Sequence, residues 1–146
     1  MSIVVNETIC ERFIIFKVEN GGGAPKVGAH IYISSLMESF KPPITSSVDD
    51  YQRLRADAFY ILMLSNIIAQ GSMNFEVNKM EDSLLKSIYE ASNIKYASVY
   101  HLHTTENAIY YCSLATTDPD GYESASDKLK IKLAVNEIIE LFKKNI

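Results

Sequence analysis

The stretch from residue 46 to residue 71, SSVDDYQRLRADAFYILMLSNIIAQG, constrains the fold more than any other part of the chain. Ser46 or Ser47 can accept a backbone N–H as an N-cap, and Asp49-Asp50 puts negative charge on the first turn. Gly71 can adopt the left-handed conformation that ends a helix, and no proline or glycine interrupts the interior. The pattern predicts one helix from Ser46 to Gly71, about 35 Å long at a rise of ~1.5 Å per residue.

The second half of this predicted helix is apolar in nearly every direction. From Ala58 to Ala69 only Ser65 and Asn66 are polar, and a helix that is apolar all round is buried all round. The run is shorter than the roughly 20 apolar residues that a membrane span needs. Either the rest of the chain covers this helix or a second chain supplies part of the cover, and we expect a homo-oligomer.

Size and charge define the class of protein. A chain of 146 residues is expected to form a single domain, residues 1–146. The net charge of −4 and the pI of about 5.3 argue against a nucleic-acid or anionic-membrane surface. Lys128, Lys130 and Lys132 are interpreted as a solvated face.

Cys10 and Cys112 lie far apart and no export signal is recognised, which predicts reduced thiols in a cytoplasmic protein.

The N-terminal part reads mainly as strands. Residues 3–19 predict two short strands, and residues 13–16 are apolar on both faces and should be covered on both sides. The glycine-rich run 21–28 has no Gly-Lys pair, and residues 28–33 look like a strand rather than a helix. We therefore interpret the run as a flexible hairpin connection instead of a phosphate-binding loop. Residues 34–40 predict a short helical turn.

After Gly71, the weak alternation of residues 73–77 predicts a short edge strand. Asn78 and Glu81 fit a capping box, which predicts an amphipathic helix from there to about Ser92.

The remainder predicts a hairpin and a last helix. Residues 96–105 and 108–116 read as strands joined at Glu106-Asn107. Residues 126–144 predict a helix, with a strand over 127–135 as the alternative, because both periodicities are present. The resulting fold class is α+β, with one antiparallel sheet and the helices on one face.

The late hairpin carries the best candidates for a binding site. It contains five tyrosine and histidine side chains that we assign to ligand binding: Tyr100, His101, His103, Tyr110 and Tyr111. The chain has nine tyrosines and no tryptophan, and tyrosine is enriched at interfaces because it combines contact area with a hydroxyl. The same side chains could instead serve core packing.

A catalytic or metal site on the hairpin is a weaker interpretation. With a two-residue loop, His103 pairs with Tyr110 and His101 with Cys112, which places two imidazoles and a thiol on one face. A three-residue loop would turn Cys112 away. No carboxylate on that face offers the second partner that metal-bound histidines usually have. We therefore assign no metal, no cofactor and no catalytic residue.

One short resemblance concerns phosphate chemistry. His103-Thr104-Thr105 resembles half of the paired His-x-Ser/Thr motifs of two-histidine phosphoesterases, but Ile31-Tyr32 after His30 lacks the hydroxyl residue of a second copy.

The sequence favours a non-enzymatic binding protein that acts through the Tyr/His-rich hairpin surface. The expected partners are a second copy of the chain and a protein or a small nucleotide-like ligand. Small inhibitors, immunity proteins and ligand-sequestering proteins fit this description. The alternatives are a small metal-dependent hydrolase or phosphoesterase that uses His101 and His103, and a structural subunit of a larger assembly.

Overall fold

The computed structural model describes residues 2–19 and 31–145 of the chain. The helices within these ranges are α1 (Ser2–Glu7), α2 (Ala58–Gln70), α3 (Leu84–Ala91) and α4 (Ala125–Asn145). The strands are β1 (Arg12–Glu19), β2 (Tyr32–Phe40), β3 (Leu54–Arg55), β4 (Ser72–Glu76), β5 (Tyr96–Thr104) and β6 (Ala108–Thr116). Short 3-10 helices span Val48–Tyr51 and Val77–Lys79.

The strands form one antiparallel sheet in the order β3-β2-β1-β6-β5-β4. With its helices this is the predicted α+β architecture, and the fold class is confirmed. The glycine run 21–28 lies outside the described residues. The two strands that flank it, β1 and β2, pair with Glu19 opposite Tyr32.

Helices cover both faces of the sheet, whereas the sequence predicted helices on one face. Ile14 and Phe16 of β1 belong to a core shared with α2 and α3. Phe13 and Ile15 belong to a second core shared with α1 and α4. Since successive residues of a strand point to opposite faces, the apolar run of β1 requires both covers. All four side chains are at most 5% exposed, which confirms the predicted cover on both sides.

Two N-terminal predictions are wrong. The residues around Val4 and Val5 form helix α1 instead of a strand, and both side chains are buried in the core beneath α4. Residues 34–40 lie in strand β2 instead of a helical turn, where Ser34 pairs with Lys17 of β1. In both cases contacts distant in sequence override a weak local preference.

The central helix begins eleven residues later than the sequence predicted, at the N-cap Asp57 instead of Ser46. Ser47 does not cap a helix, because its hydroxyl donates to the carboxylate of Glu38 (2.7 Å). Arg53 has a positive φ of 51°, which breaks any continuous helix at this point. The helix ends at Gly71 as predicted, so its 13 residues span about 20 Å.

Helix α2 is not buried on all sides, contrary to the prediction. Tyr60, Leu64 and Ile67 are fully buried against the sheet. Leu62 is 59% exposed and Ile68 is 38% exposed. The chain therefore covers one face of α2 and leaves apolar side chains of the opposite face in contact with solvent.

The remaining elements follow the sequence more closely. The predicted edge strand is β4, at the end of the sheet. Helix α3 begins at the N-cap Ser83 rather than at Asn78, which lies in a 3-10 helix, and it stops where Asn93 takes a positive φ of 58°. Residues 127–135 lie in helix α4, as preferred over the strand. No helix in the described ranges has the length and apolar character to cross a bilayer.

Candidate functional site

Strands β5 and β6 form the predicted hairpin, but a bulge changes its register. His103 lies opposite Tyr110, as the two-residue loop predicts. The register then shifts between His101 and His103, so that Tyr100 instead of His101 lies opposite Cys112. The pairing of His101 with Cys112 is therefore wrong, because a bulge sets two residues of one strand against one of the other.

His101 is half-buried at the start of this bulge. Its Nε2 atom lies 2.7 Å from the hydroxyl oxygen of Thr104. Burial lowers the pKa of His101 below its usual value, and the nearby charge of His103 lowers it further. The imidazole is therefore neutral at pH 7, and one of its nitrogens is already engaged by a neighbouring side chain.

His103 and Tyr110 lie together under the C-terminal end of α4. The ring of His103 stacks on Phe142 with 6.0 Å between centroids, and Tyr110 packs against the same phenylalanine at 4.9 Å. Helix α4 therefore occupies this part of the hairpin face.

Tyr111 lies on the opposite face of the sheet. Its ring stacks on Phe16 at 4.8 Å, and Phe16 contacts Tyr51 edge-on at 4.7 Å. Burial raises the pKa of Tyr111 well above its usual value. The side chain is 1% exposed, and it forms part of the core that packs against α2.

The two cysteines are free and buried, on the face that packs against α4. Burial raises the pKa of Cys10 to about 11, and burial also raises the pKa of Cys112. A thiol of this kind stays protonated at neutral pH and is a poor nucleophile. Within the described residues, no group of three or more His, Cys, Asp and Glu side chains is arranged to hold a metal ion.

A cavity of about 710 Å³ lies between α4 and the outer strands β4 and β5. Tyr100 and His101 line it, so the structure brings two of the five predicted residues into one concave site. The side chains from the sheet include Ser72, Asn74, Tyr96, Ser98 and Tyr100. The side chains from α4 include Lys128, Ile131, Lys132, Val135, Asn136 and Ile139. A volume of this size falls in the range of small-molecule sites.

The wall and the floor of the cavity differ in chemistry. On the floor, the hydroxyl of Ser98 donates to Oδ1 of Asn74 at 2.7 Å, and Tyr100, which is half-buried, lines the same cavity. On the wall, Lys128 and Lys132 are exposed one helical turn apart. Side chains at this spacing lie on the same helix face, so two ammonium groups border a floor of hydroxyl, amide and aromatic groups.

The sequence interpretation missed the contribution of α4 to this site. The sequence predicts a solvated face at Lys128 and Lys132 and assigns no role to Asn136. The three residues follow one another at four-residue steps on a helix, a spacing that indicates a common face. What the sequence does not reveal is that this face borders the uncovered outer strands of the sheet.

Comparison with known proteins identifies the fold. No protein-family model and no curated protein matches the sequence. Among solved structures, the phycocyanobilin-bound GAF domain of a cyanobacterial phytochrome superposes with a TM-score of 0.65 and 12% sequence identity, covering 98% of this chain and 80% of that one. A red/green cyanobacteriochrome in its red light-absorbing state gives a TM-score of 0.64 at 14% identity, covering 98% of this chain and 88% of that one.

A third solved structure extends the likeness beyond these photoreceptors. The GAF domain/HD domain protein of Geobacter sulfurreducens gives a TM-score of 0.63 at 9% identity, covering 95% of this chain and 84% of that one. The chain therefore has a GAF-like fold.

Proposed function

We propose that this chain is a non-enzymatic domain that binds a small molecule and acts as a homo-oligomer. The observation that carries the proposal is the cavity of about 710 Å³ between α4 and strands β4 and β5. Two of the residues assigned from sequence to ligand binding, Tyr100 and His101, line it. Solved structures of similar fold support the proposal, since a phytochrome GAF domain among them holds phycocyanobilin and another of these structures holds biliverdin.

The chemistry of the cavity suits a planar anion, such as a nucleotide-like molecule. Lys128 and Lys132 supply two positive charges for a phosphate or carboxylate group. Tyr100 offers an aromatic surface for a ring. Ser98 and Asn74 offer hydrogen bonds from the floor, where their side chains are already held in place by the 2.7 Å contact between them.

A binding function also agrees with the state of the reactive groups. Cys10 and Cys112 are buried thiols with raised pKa values, His103 is stacked on Phe142 and His101 lies against Thr104. The two free thiols support the cytoplasmic location that we propose, because disulfides are rare in reducing compartments.

The test is direct binding with two probes. Native mass spectrometry of the purified chain reports any small molecule that co-purifies, and calorimetry measures the affinity for AMP and for biliverdin. We expect the double variant Lys128→Glu and Lys132→Glu to bind the better probe at least about tenfold more weakly, or ~1.4 kcal/mol. The matched control, Lys130→Glu with Lys144→Glu, makes the same charge change on α4 outside the cavity and should stay within about twofold of the unmodified chain.

Two results would overturn the ligand proposal. One is a chain that carries no co-purifying molecule and binds neither AMP nor biliverdin. The other is equal weakening by the cavity variant and by the control variant, which would mean that net charge and not the cavity determines affinity.

A further inference from the structure

Strand β4 ends the sheet with an open edge. The amide of His101 donates to the carbonyl of Gly71 and the amide of Val77 donates to the carbonyl of Lys95, both at 2.9 Å. In an antiparallel ladder, alternate residues bond to the same neighbouring strand. Residues 71, 73, 75 and 77 therefore turn their backbone groups toward β5. Residues 72, 74 and 76 turn theirs outward, with no backbone partner among the described residues.

An apolar groove of about 450 Å³, here called the β4 groove, borders this open edge on the α2 side. Its apolar side chains are Phe59, Leu62, Met63, Met73, Phe75 and Met80. Leu62 is the α2 side chain that is 59% exposed. On the other side of β4, Ser72 and Asn74 line the cavity proposed to hold the ligand. An extended segment added to this edge would therefore meet the apolar side chains of the β4 groove on one side and the polar side chains of Ser72 and Asn74 on the other.

The sequence of β4 itself has this alternating pattern. In Ser-Met-Asn-Phe-Glu, residues 72, 74 and 76 are polar, and residues 73 and 75 are apolar. We propose that the β4 strands of two copies of the chain pair antiparallel about a two-fold axis at Asn74, which joins their sheets. This inference rests on the homo-oligomer part of the proposed function and names the surface that forms it.

The pairing follows from the two-fold axis. Asn74 lies opposite the partner's Asn74, and Ser72 lies opposite the partner's Glu76. Because these residues carry the outward backbone groups, they form the hydrogen-bonded pairs of the new ladder, with about six N–H···O bonds in total. Met73 lies beside the partner's Phe75, so that the two β4 grooves meet and Leu62 gains an apolar neighbour.

Charge and the length of the paired ladder together favour this register. Glu76 is the only charged residue of β4, and its carboxylate is paired with Lys79 at 3.0 Å. A two-fold axis at Glu76 would place the two carboxylates opposite each other, which is unfavourable. An axis at Ser72 would leave Glu76 without a strand residue opposite it. The axis at Asn74 pairs all five residues and sets each carboxylate against a serine.

A charge exchange tests the register in the full chain. Sedimentation equilibrium at protein concentrations between about 1 and 200 µM should show a dimer. This concentration range covers the dissociation constants of ordinary non-obligate dimers. Ser72→Glu places like charges opposite each other twice per dimer and should weaken dimerisation about tenfold. Adding Glu76→Lys to this variant should restore it. Residues 72 and 76 of one copy are about 13 Å apart along the strand, so only contacts between copies can produce the restoration.

A backbone variant gives a second, independent readout. Asn74→Pro removes the outward N–H at the centre of the interface and should weaken dimerisation at least about tenfold. Asn74→Ala is the matched control, because it loses the same side-chain contact with Ser98 and keeps the N–H. The pairing of β4 with β5 is preserved in both, since that N–H does not point toward β5. Far-UV circular dichroism confirms that each variant is folded.

The exposed leucines of α4 provide the competing surface. Leu133 is 60% exposed, close to the 59% of Leu62. We expect Leu62→Ser to weaken the dimer and Leu133→Ser to leave it unchanged. A dimer that ignores the Ser72 and Asn74 variants, or that Leu133→Ser dissociates, overturns the β4 interface and leaves the homo-oligomer intact. A monomer at every concentration overturns both, whereas the calorimetry with AMP and biliverdin tests the ligand proposal separately.

Discussion

One carboxylate holds the N-termini of two helices, and its removal gives the sharpest stability prediction. Oδ1 of Asp57 accepts the amide of Tyr60 at 2.9 Å and thereby caps α2. Oδ2 of the same residue accepts the amide of Leu84 at 3.0 Å, in the first turn of α3. The two helices that cover one face of the sheet are therefore joined through a single half-buried side chain.

The expected cost of Asp57→Ala is the sum of these two contacts. Loss of an N-cap costs about 1 kcal/mol, and loss of a hydrogen bond to a charged acceptor costs about 1.5–3 kcal/mol. The free energy of unfolding should therefore fall by about 2.5–4 kcal/mol. For a chain of this size, this corresponds to a decrease in Tm of roughly 7–12 °C. Asp57→Asn keeps one acceptor oxygen and should lose about half as much.

Urea denaturation followed by circular dichroism measures these differences. The midpoint should shift while the dependence on urea stays constant, because the surface exposed on unfolding is unchanged. Asp49→Ala serves as the control, since Asp49 is exposed and lies in the preceding 3-10 helix. If Asp57→Ala lowers the free energy of unfolding no more than Asp49→Ala does, Asp57 does not stabilise the two helices. The same conclusion follows if Asp57→Asn lowers it as much as Asp57→Ala.

Two further predictions concern the core. Gly121 has a φ of 66°, and a Cβ atom there would lie 3.0 Å from the ring of Tyr96, so Gly121→Ala should cost about 1–3 kcal/mol in urea denaturation. The cost should shrink in a Tyr96→Ala background, and an unchanged cost would contradict the clash. Unfolded thiols ionise near pH 9.0, whereas burial raises the pKa of Cys10 to about 11 and that of Cys112 too. The free energy of unfolding should therefore fall as pH rises above 9, by up to ~1.4 kcal/mol per pH unit per thiol. Cys112→Ala should make this pH dependence less steep. If the variant shows the same pH dependence as the unmodified chain, the Cys112 thiol is not its cause.

Much of the second half of the fold could be predicted from the sequence because its signals are local. Glu106-Asn107 marks the hairpin turn, and Gly71 and Asn93 adopt the positive φ angles that end α2 and α3. In α4 the helical spacing of apolar residues persists beyond the six-residue alternation, and the helix formed. Each of these signals depends on residues within a few positions of one another.

The predictions that failed depend on distant partners. Ser47 is a residue type that often caps helices, but the carboxylate of Glu38 in β2 accepts hydrogen bonds from its hydroxyl and its backbone amide, at 2.7 and 2.9 Å. Without that cap, residues 48–55 form a 3-10 helix and a short strand that pairs with β2. The bulge between His101 and His103 was also not predictable from the local sequence, because no residue near it indicates a change of register.

The distribution of the tyrosines explains why only some of the hairpin residues predicted to bind a ligand line the cavity. Tyr51 and Tyr111 pack against Phe16 on the α2 side, with ring centroids 4.7 and 4.8 Å from that of Phe16, and Tyr60 is buried in the same core. Tyr100 faces the α4 side, where helix and outer strands diverge around the cavity. Tyrosine is suited both to a packed core and to the lining of a binding site. The number of tyrosines in the sequence therefore does not distinguish these two roles. The face that each ring occupies decides between them, and that face depends on strand register. The proposed ligand is therefore expected between α4 and the outer strands, where Lys128 and Lys132 also supply charge.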